Sequence, residues 1–194
     1  MSIVIDYFER ERRFLKSVTV VYLLLPLLLL PLLFEWWFHL QESTLFLEYK
    51  HEILLVNILY IVIVRFALLD TAIYLFSRSK HTVHIALMQV VWLYLEITVI
   101  TIFYYAVVFY IFDVFSLFHL SAEFSAENFK EIHDHSLITS MYISTVTFTT
   151  LGSGDWIPQT LSAMIAVVSE VILGVVQGGV FVAIVIYAHQ NKKG

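Results

Sequence analysis

Cysteine is absent from this chain of 194 residues, so neither a disulfide nor a thiolate metal site can form. A basic block is also absent and the net charge is −5, which leaves no electrostatic footprint for nucleic acid. Proline and glycine are scarce, at three and six, and the glycines gather late in the chain, where backbone freedom would matter. No helix-forming stretch carries a row of regularly spaced Arg or Lys. Arg65 alone cannot carry enough gating charge for steep voltage sensing. No internal or inverted repeat is visible, which argues against a transporter.

What the chain has in excess is apolar surface: 60% of its residues, with a mean hydropathy of +0.84. A soluble domain of this size could not hide so much, so lipid must be the solvent over much of its length. Four runs are long enough to cross a bilayer: Ser17 to Phe38, Ile53 to Phe76, Val83 to Phe118 and Leu161 to Ala188. The first is too long for a signal-peptide core and is expected to be retained. The third exceeds one crossing, so its far end is expected to project above the membrane. Between the third and fourth, Ser136 to Thr149 is apolar and rich in hydroxyls but too short to cross. It fits a re-entrant half-helix, which is tolerated only where protein or a water-filled cavity surrounds it.

Loop charges set an orientation. Arg10, Arg12, Arg13 and Lys16 precede the first run, Arg78 and Lys80 separate the second and third, and Lys192 and Lys193 follow the fourth. The other loops are acidic, with Glu42, Glu48 and Glu52 in one and Glu123, Glu127, Glu131 and Asp134 in the other. Positive charge inside places both termini in the cytoplasm. Trp36 and Trp37 then fall at the outer interface as anchors. The half-helix enters from outside.

After the half-helix comes Thr150-Leu151-Gly152-Ser153-Gly154-Asp155, with Pro158 close behind. This order resembles the pore region of the potassium-channel superfamily: pore helix, selectivity filter, inner helix. The usual filter of that family reads Thr-Val-Gly-Tyr-Gly-Asp, so Leu151 replaces the Val and Ser153 the Tyr. The resemblance is close over Ser136 to Ala188. The third run matches the outer pore helix by position only, and the first two carry no motif of the family. The chain looks like a single-pore, four-transmembrane, bacterial-type channel.

The resemblance implies an all-α membrane protein with four transmembrane helices, a re-entrant pore helix and a filter, assembled as a homotetramer. Residues 1–80 would hold two peripheral helices and a basic cytoplasmic N-terminus, and 81–194 the pore domain. It would sit multi-pass in a plasma membrane, cellular or bacterial, contacting lipid, other copies of itself and permeant cations. Conduction is passive, so no catalytic residue and no cofactor are expected. K+, and with a looser filter Na+, would meet the carbonyls of Thr150, Leu151, Gly152, Ser153 and Gly154. Thr150, Leu151 and Gly152 keep the inner K+ sites, and Asp155 adds negative charge at the mouth. In the family the filter Tyr packs behind the filter. Ser153 loses that bulk, and Tyr142 and Ile143 are the matching pore-helix positions expected to support the filter. The readings that remain open are a K+ channel, a weakly selective Na+/K+ channel, and a non-conducting scaffold or accessory subunit.

Gly174 lies nineteen residues after Asp155, the spacing of the family's hinge glycine. Gly174 is expected as a hinge and Gly179 as a packing position, with Gln177 lining the cavity. Val182 to Ile186 form an apolar end that could shut by dewetting. With six residues after Ala188, no fused nucleotide or calcium sensor is expected. Arg65 and Glu96 both fall roughly 18–20 Å deep at 1.5 Å per residue. They are expected to pair, with Glu170 nearby or protonated. Asp70 is expected nearer the cytoplasm. His119, His133 and His135 flank the acidic loop, where a solvated loop and a proton or metal sensor are the two readings.

Overall fold

The computed structural model describes residues 31–33, 36–37, 48–78, 87–121, 134–152 and 154–190. The expected first span falls largely outside them. The rest is built on three long helices: α1 (Lys50–Arg78), α2 (Leu87–Ile111) and α5 (Leu161–Gln190). Each contains a segment long and apolar enough to cross a membrane: Lys50–Asp70, Tyr94–Ile111 and Leu161–Ile186. This fits an all-α membrane protein. Between α2 and α5 lie a one-turn helix α3 (Val114–Leu117), strand β1 (Phe118–Leu120), the short helix α4 (Ser136–Phe148) and strand β2 (Trp156–Pro158).

The apolar run that begins at Val83 does not continue as one helix. Asp113 takes φ 61°, and its carboxylate accepts the Phe115 amide at 3.3 Å, starting α3. Asp tolerates this left-handed backbone because its side chain bonds locally. The chain then turns into β1, which pairs antiparallel with β2 in the register Phe118↔Pro158, His119↔Ile157 and Leu120↔Trp156. Ser121 N to Asp155 O (2.7 Å) and Gln159 N to Leu117 O (2.9 Å) extend the ladder at both ends. Pro158 fits because it closes a strand that, among the described residues, has no further neighbour to serve.

Helix α1 buries one stripe, Leu54, Asn57, Ile58, Ile61, Arg65 and Leu68, and exposes Leu55, Val56, Leu59, Ile63 and Phe66. The i, i+3, i+4, i+7 spacing puts two polar residues on the stripe that packs inward. The last turns of α2 are buried almost all round, with Tyr104, Tyr105 and Phe109 in the core and Phe112 just past the helix beside them. Phe109 meets Phe118 edge-on at 5.0 Å between centroids. Above this core Trp36 stacks on Tyr110 at 5.9 Å.

Helix α4 lies against α2 and α5 through Ser140, Ile143, Ser144, Thr147 and Phe148. Small hydroxyl residues let the backbones come close. Several return their protons to the preceding turn, as Ser140 does to Ser136 O at 2.9 Å. Helix α5 opens on Thr160, whose hydroxyl accepts the Ala163 amide at 3.1 Å as an N-cap. Two cross-links tie this end of α5 and α3 to α1: His51 Nδ1 with Ser162 Oγ, and Lys50 Nζ donating to Ser116 Oγ, both 3.0 Å.

Candidate functional site

The half-helix α4 ends in a hydrogen-bonded reversal that starts the glycine loop. Thr150 has φ 58° and sits one residue past the helix cap. Its amide bonds to Thr147 O at 3.0 Å, and the Leu151 amide to Val146 O at 3.0 Å. These are the two bonds of a Schellman motif, whose left-handed position is usually glycine. A β-branched residue there is strained, on the order of 1–3 kcal/mol, and such strain gathers at functional backbone. Gly152 follows at φ 73°, and its amide also reaches Val146 O at 3.3 Å. Thr149, the residue before, returns its hydroxyl to Thr145 O at 2.7 Å.

The loop thus points its amides back at α4 and leaves its carbonyls free. Among the described residues, no donor reaches the carbonyl oxygens of Thr150, Leu151 or Gly152. Leu151 is 77% exposed, and Gly152, Gly154 and Asp155 are exposed too. Ser153 lies outside the described residues. The far side of the loop is fixed where Asp155 O accepts the Ser121 amide beside the strand pair.

The two expected supports part company. Ile143 is fully buried in the core, whereas Tyr142, a step of about 100° round α4, is 46% exposed. Tyr142, with about half of its surface open, is not enclosed behind the loop of its own chain. It belongs instead to an exposed apolar face with Leu137, Ile138 and Met141.

Gly174 also departs from expectation. Helix α5 runs unbroken through it. A Cβ at Gly174 would stand 2.3 Å from Phe148 O and 3.3 Å from that carbonyl carbon. The glycine is a seat for the end of α4, two residues before the loop. Gly179, expected as the packing position, has nothing within 4 Å of a built Cβ. Within the chain the close packing falls at Gly174 and not at Gly179, because the contact is set by where α4 ends.

The intramembrane polar residues are redistributed in the same way. Arg65 was expected to meet Glu96, but its guanidinium donates through Nη2 to Gln177 Oε1 instead. Gln177 does not line a cavity: it is 2% exposed, and its amide nitrogen donates to Thr98 Oγ1 (2.7 Å) and Tyr94 O (3.2 Å) on α2. Glu96 is half-buried on α2. Glu170, fully buried, holds Ser144 of α4 through Oε1. The Ser144 hydroxyl also lies 2.8 Å from Ile102 O on α2, and its single hydrogen can serve only one of these oxygens. Arg65 Nε and Glu170 Oε2 are buried without a hydrogen bond. Asp70 is exposed.

Ser144, Thr98 and the Tyr105–Ser169 pair (2.8 Å) carry this network and were missed in the sequence. Buried polar residues at helical spacing were the available signal, as were Asn57 and Tyr104, bonded at 3.0 Å. His119 and His135 are exposed, and His133 lies outside the described residues. Among the described residues, no group of three His, Cys, Asp or Glu could hold a metal.

Residues 97–190 match a protein-family model described as Ion channel. The matched segment spans most of α2, then α4, the glycine loop and α5. An ion-channel family is supported for this part of the chain by that match. None of the curated proteins and none of the solved structures compared with the chain gives a significant match.

Proposed function

We propose that this protein is a potassium-channel-like cation channel. Four copies would stand around a common axis with the glycine loops meeting on it. The observation that carries this reading is the row of carbonyls at Thr150, Leu151 and Gly152 that no described donor uses. A dehydrated cation needs such oxygens in place of its water. A single loop offers too few, and the exposed apolar faces of α4 and α5 supply a surface for neighbouring copies. The carbonyl end of α4 faces the same region and favours positive charge there. Both termini would be cytoplasmic, from the loop charges.

A second reading within the class is a weakly selective Na+/K+ channel. It is favoured by Ser153, which lacks the bulk of the family's Tyr, while Tyr142 on α4 is half exposed and not enclosed behind the loop.

The test is the reversal potential of the purified protein in planar bilayers, with K+ on one side and Na+ on the other. A value near the K+ equilibrium potential supports the first reading, and one near zero with clear current supports the second. No current at any pH or voltage leaves a scaffold or accessory subunit. A Ser153→Tyr chain should move the potential toward K+ if the missing bulk loosens the loop.

A further inference from the structure

Gln177 is a three-helix junction. It sits on α5, accepts from Arg65 on α1, and donates to both a side chain and a backbone carbonyl on α2. Its acceptor and both of its donor hydrogens are used. Arg65 is 1% exposed, and this is the one hydrogen bond of its guanidinium among the described residues. Past Gln177 no residue of α5 up to Ile186 is buried, and no side-chain hydrogen bond holds the helix among the described residues. Tyr94, packed on Phe181 at 4.4 Å between ring centroids, is the neighbouring contact.

We propose that Arg65 is a positioning residue for the end of α5: through Gln177 it fixes the direction in which Val182 to Ile186 leave the bundle, and so gives the peripheral helix α1 a hold on the gate. The inference deepens the channel reading and rests on it for the word gate. The geometric part, a latch between α1 and α5, stands without it.

Two arguments support a latch over plain packing. In lipid, apolar contact gives helices little reason to associate, so close packing and interhelical hydrogen bonds carry the association. The α1–α5 contact is apolar elsewhere along the buried stripe of α1, except at Asn57, which bonds to α2. An arginine at this depth is also costly, and such residues mark moving or conducting parts more often than passive ones. Losing Gln177 would leave the charge without its bond. A shift of α5 is therefore coupled to the burial of that charge.

The absence of cysteine makes the test clean. Ile63 on α1 and Ile186 on α5 are both exposed. A chain with Ile63→Cys and Ile186→Cys is spin-labelled, diluted with unlabelled chain and placed in lipid. Pulsed electron paramagnetic resonance then reads the α1–α5 separation within one chain. Arg65→Met and Gln177→Leu should each move the distribution to longer separation and broaden it. The double variant should go no further than the larger single effect, because both remove one interaction. It also removes the unpaired charge that could misfold Gln177→Leu alone. Gln177→Glu, which turns the bond to Arg65 into an ion pair but gives up the amide's two bonds to α2, should keep the α1–α5 separation from lengthening.

Cation flux measured in parallel should change about tenfold in Arg65→Met, in line with losing a hydrogen bond to a charged group. Unchanged distances in both single variants, or additive effects in the double, would overturn the latch. Shifted distances in a protein that never conducts would keep the latch and sink the channel reading. A conducting wild type with unmoved distances would do the reverse.

Discussion

The two halves of α5 live in different surroundings. From Leu161 to Gly174 the helix is capped by Thr160, cross-linked to α1 at Ser162, bonded to α4 through Glu170 and pressed on Phe148 at Gly174. From Val175 to Ile186 one residue, Gln177, is buried. The first half has the close contacts that fix a neighbour's position to a fraction of an ångström. The second has a single polar tether and open sides. A helix built this way can hold the glycine loop still while its other end moves, provided the tether yields.

The sharpest way to break this contrast is to add one methyl group at each glycine. Gly174→Ala should push the end of α4 off its seat, at a cost of about 1–3 kcal/mol for overpacking. A lower melting temperature in detergent is expected and, in the channel proposed above, loss of cation flux. Gly179→Ala should instead be tolerated and stabilise the helix by roughly 0.5–1 kcal/mol, because a Cβ there meets nothing within the chain. Equal effects at the two positions in a thermal melt would end the comparison.

Glu170 should come next in size. Glu170→Leu leaves Ser144 with Ile102 O alone and should loosen α4, read as faster decay of current and a reversal potential nearer zero. Glu170→Gln keeps a donor and an acceptor beside Ser144 and should behave close to wild type. A Gln variant as damaged as the Leu variant would mean that charge, and not the hydrogen bond, is what matters there.

Smaller effects belong to the loop and to the start of α5. Thr150→Gly should relieve the left-handed strain and stabilise the fold by about 1 kcal/mol. In the channel proposed above it should also change cation flux, because a relaxed backbone re-aims the Thr150 carbonyl. Thr160→Ala should cost about 1 kcal/mol of stability, with the reversal potential unmoved, since a cap holds the helix and not the ion. Least of all, His133→Ala with His135→Ala tests whether protons act at the acidic loop. Unchanged pH dependence of current would leave the solvated-loop reading.

The long elements were legible because length and hydropathy carry them: α1, α4 and α5 lie within two or three residues of the runs that predict them. The break at Asp113 and the β1–β2 pair were not. One depends on a single left-handed residue, and the other on two three-residue strands separated by thirty-five positions. The glycine loop stood out by its spacing, and Gly174 did so too, but spacing says that a position is special without saying why. Gln177 misled for a physical reason. Helix α5 is largely apolar on every side, so periodicity cannot tell the face turned to its own chain from the face turned outward. Arg65 and Glu96 sat at matching depth, yet depth is one coordinate and pairing needs also the angle around each helix.

The strand pair has a further consequence. It closes the chain from Phe118 to Pro158 into a ring whose base is a short ladder. Within that ring the glycine loop is strung between two pegs, Val146 O on one side and the Ser121 amide on the other. Only Ser153 and Gly154 lie between the last residue tied to the first peg and the residue tied to the second. A string pegged so close to its middle can change pitch but not length. In the channel proposed above, substitution at Ser153 would retune the aperture, whereas inserting one residue there would have to pull a peg loose.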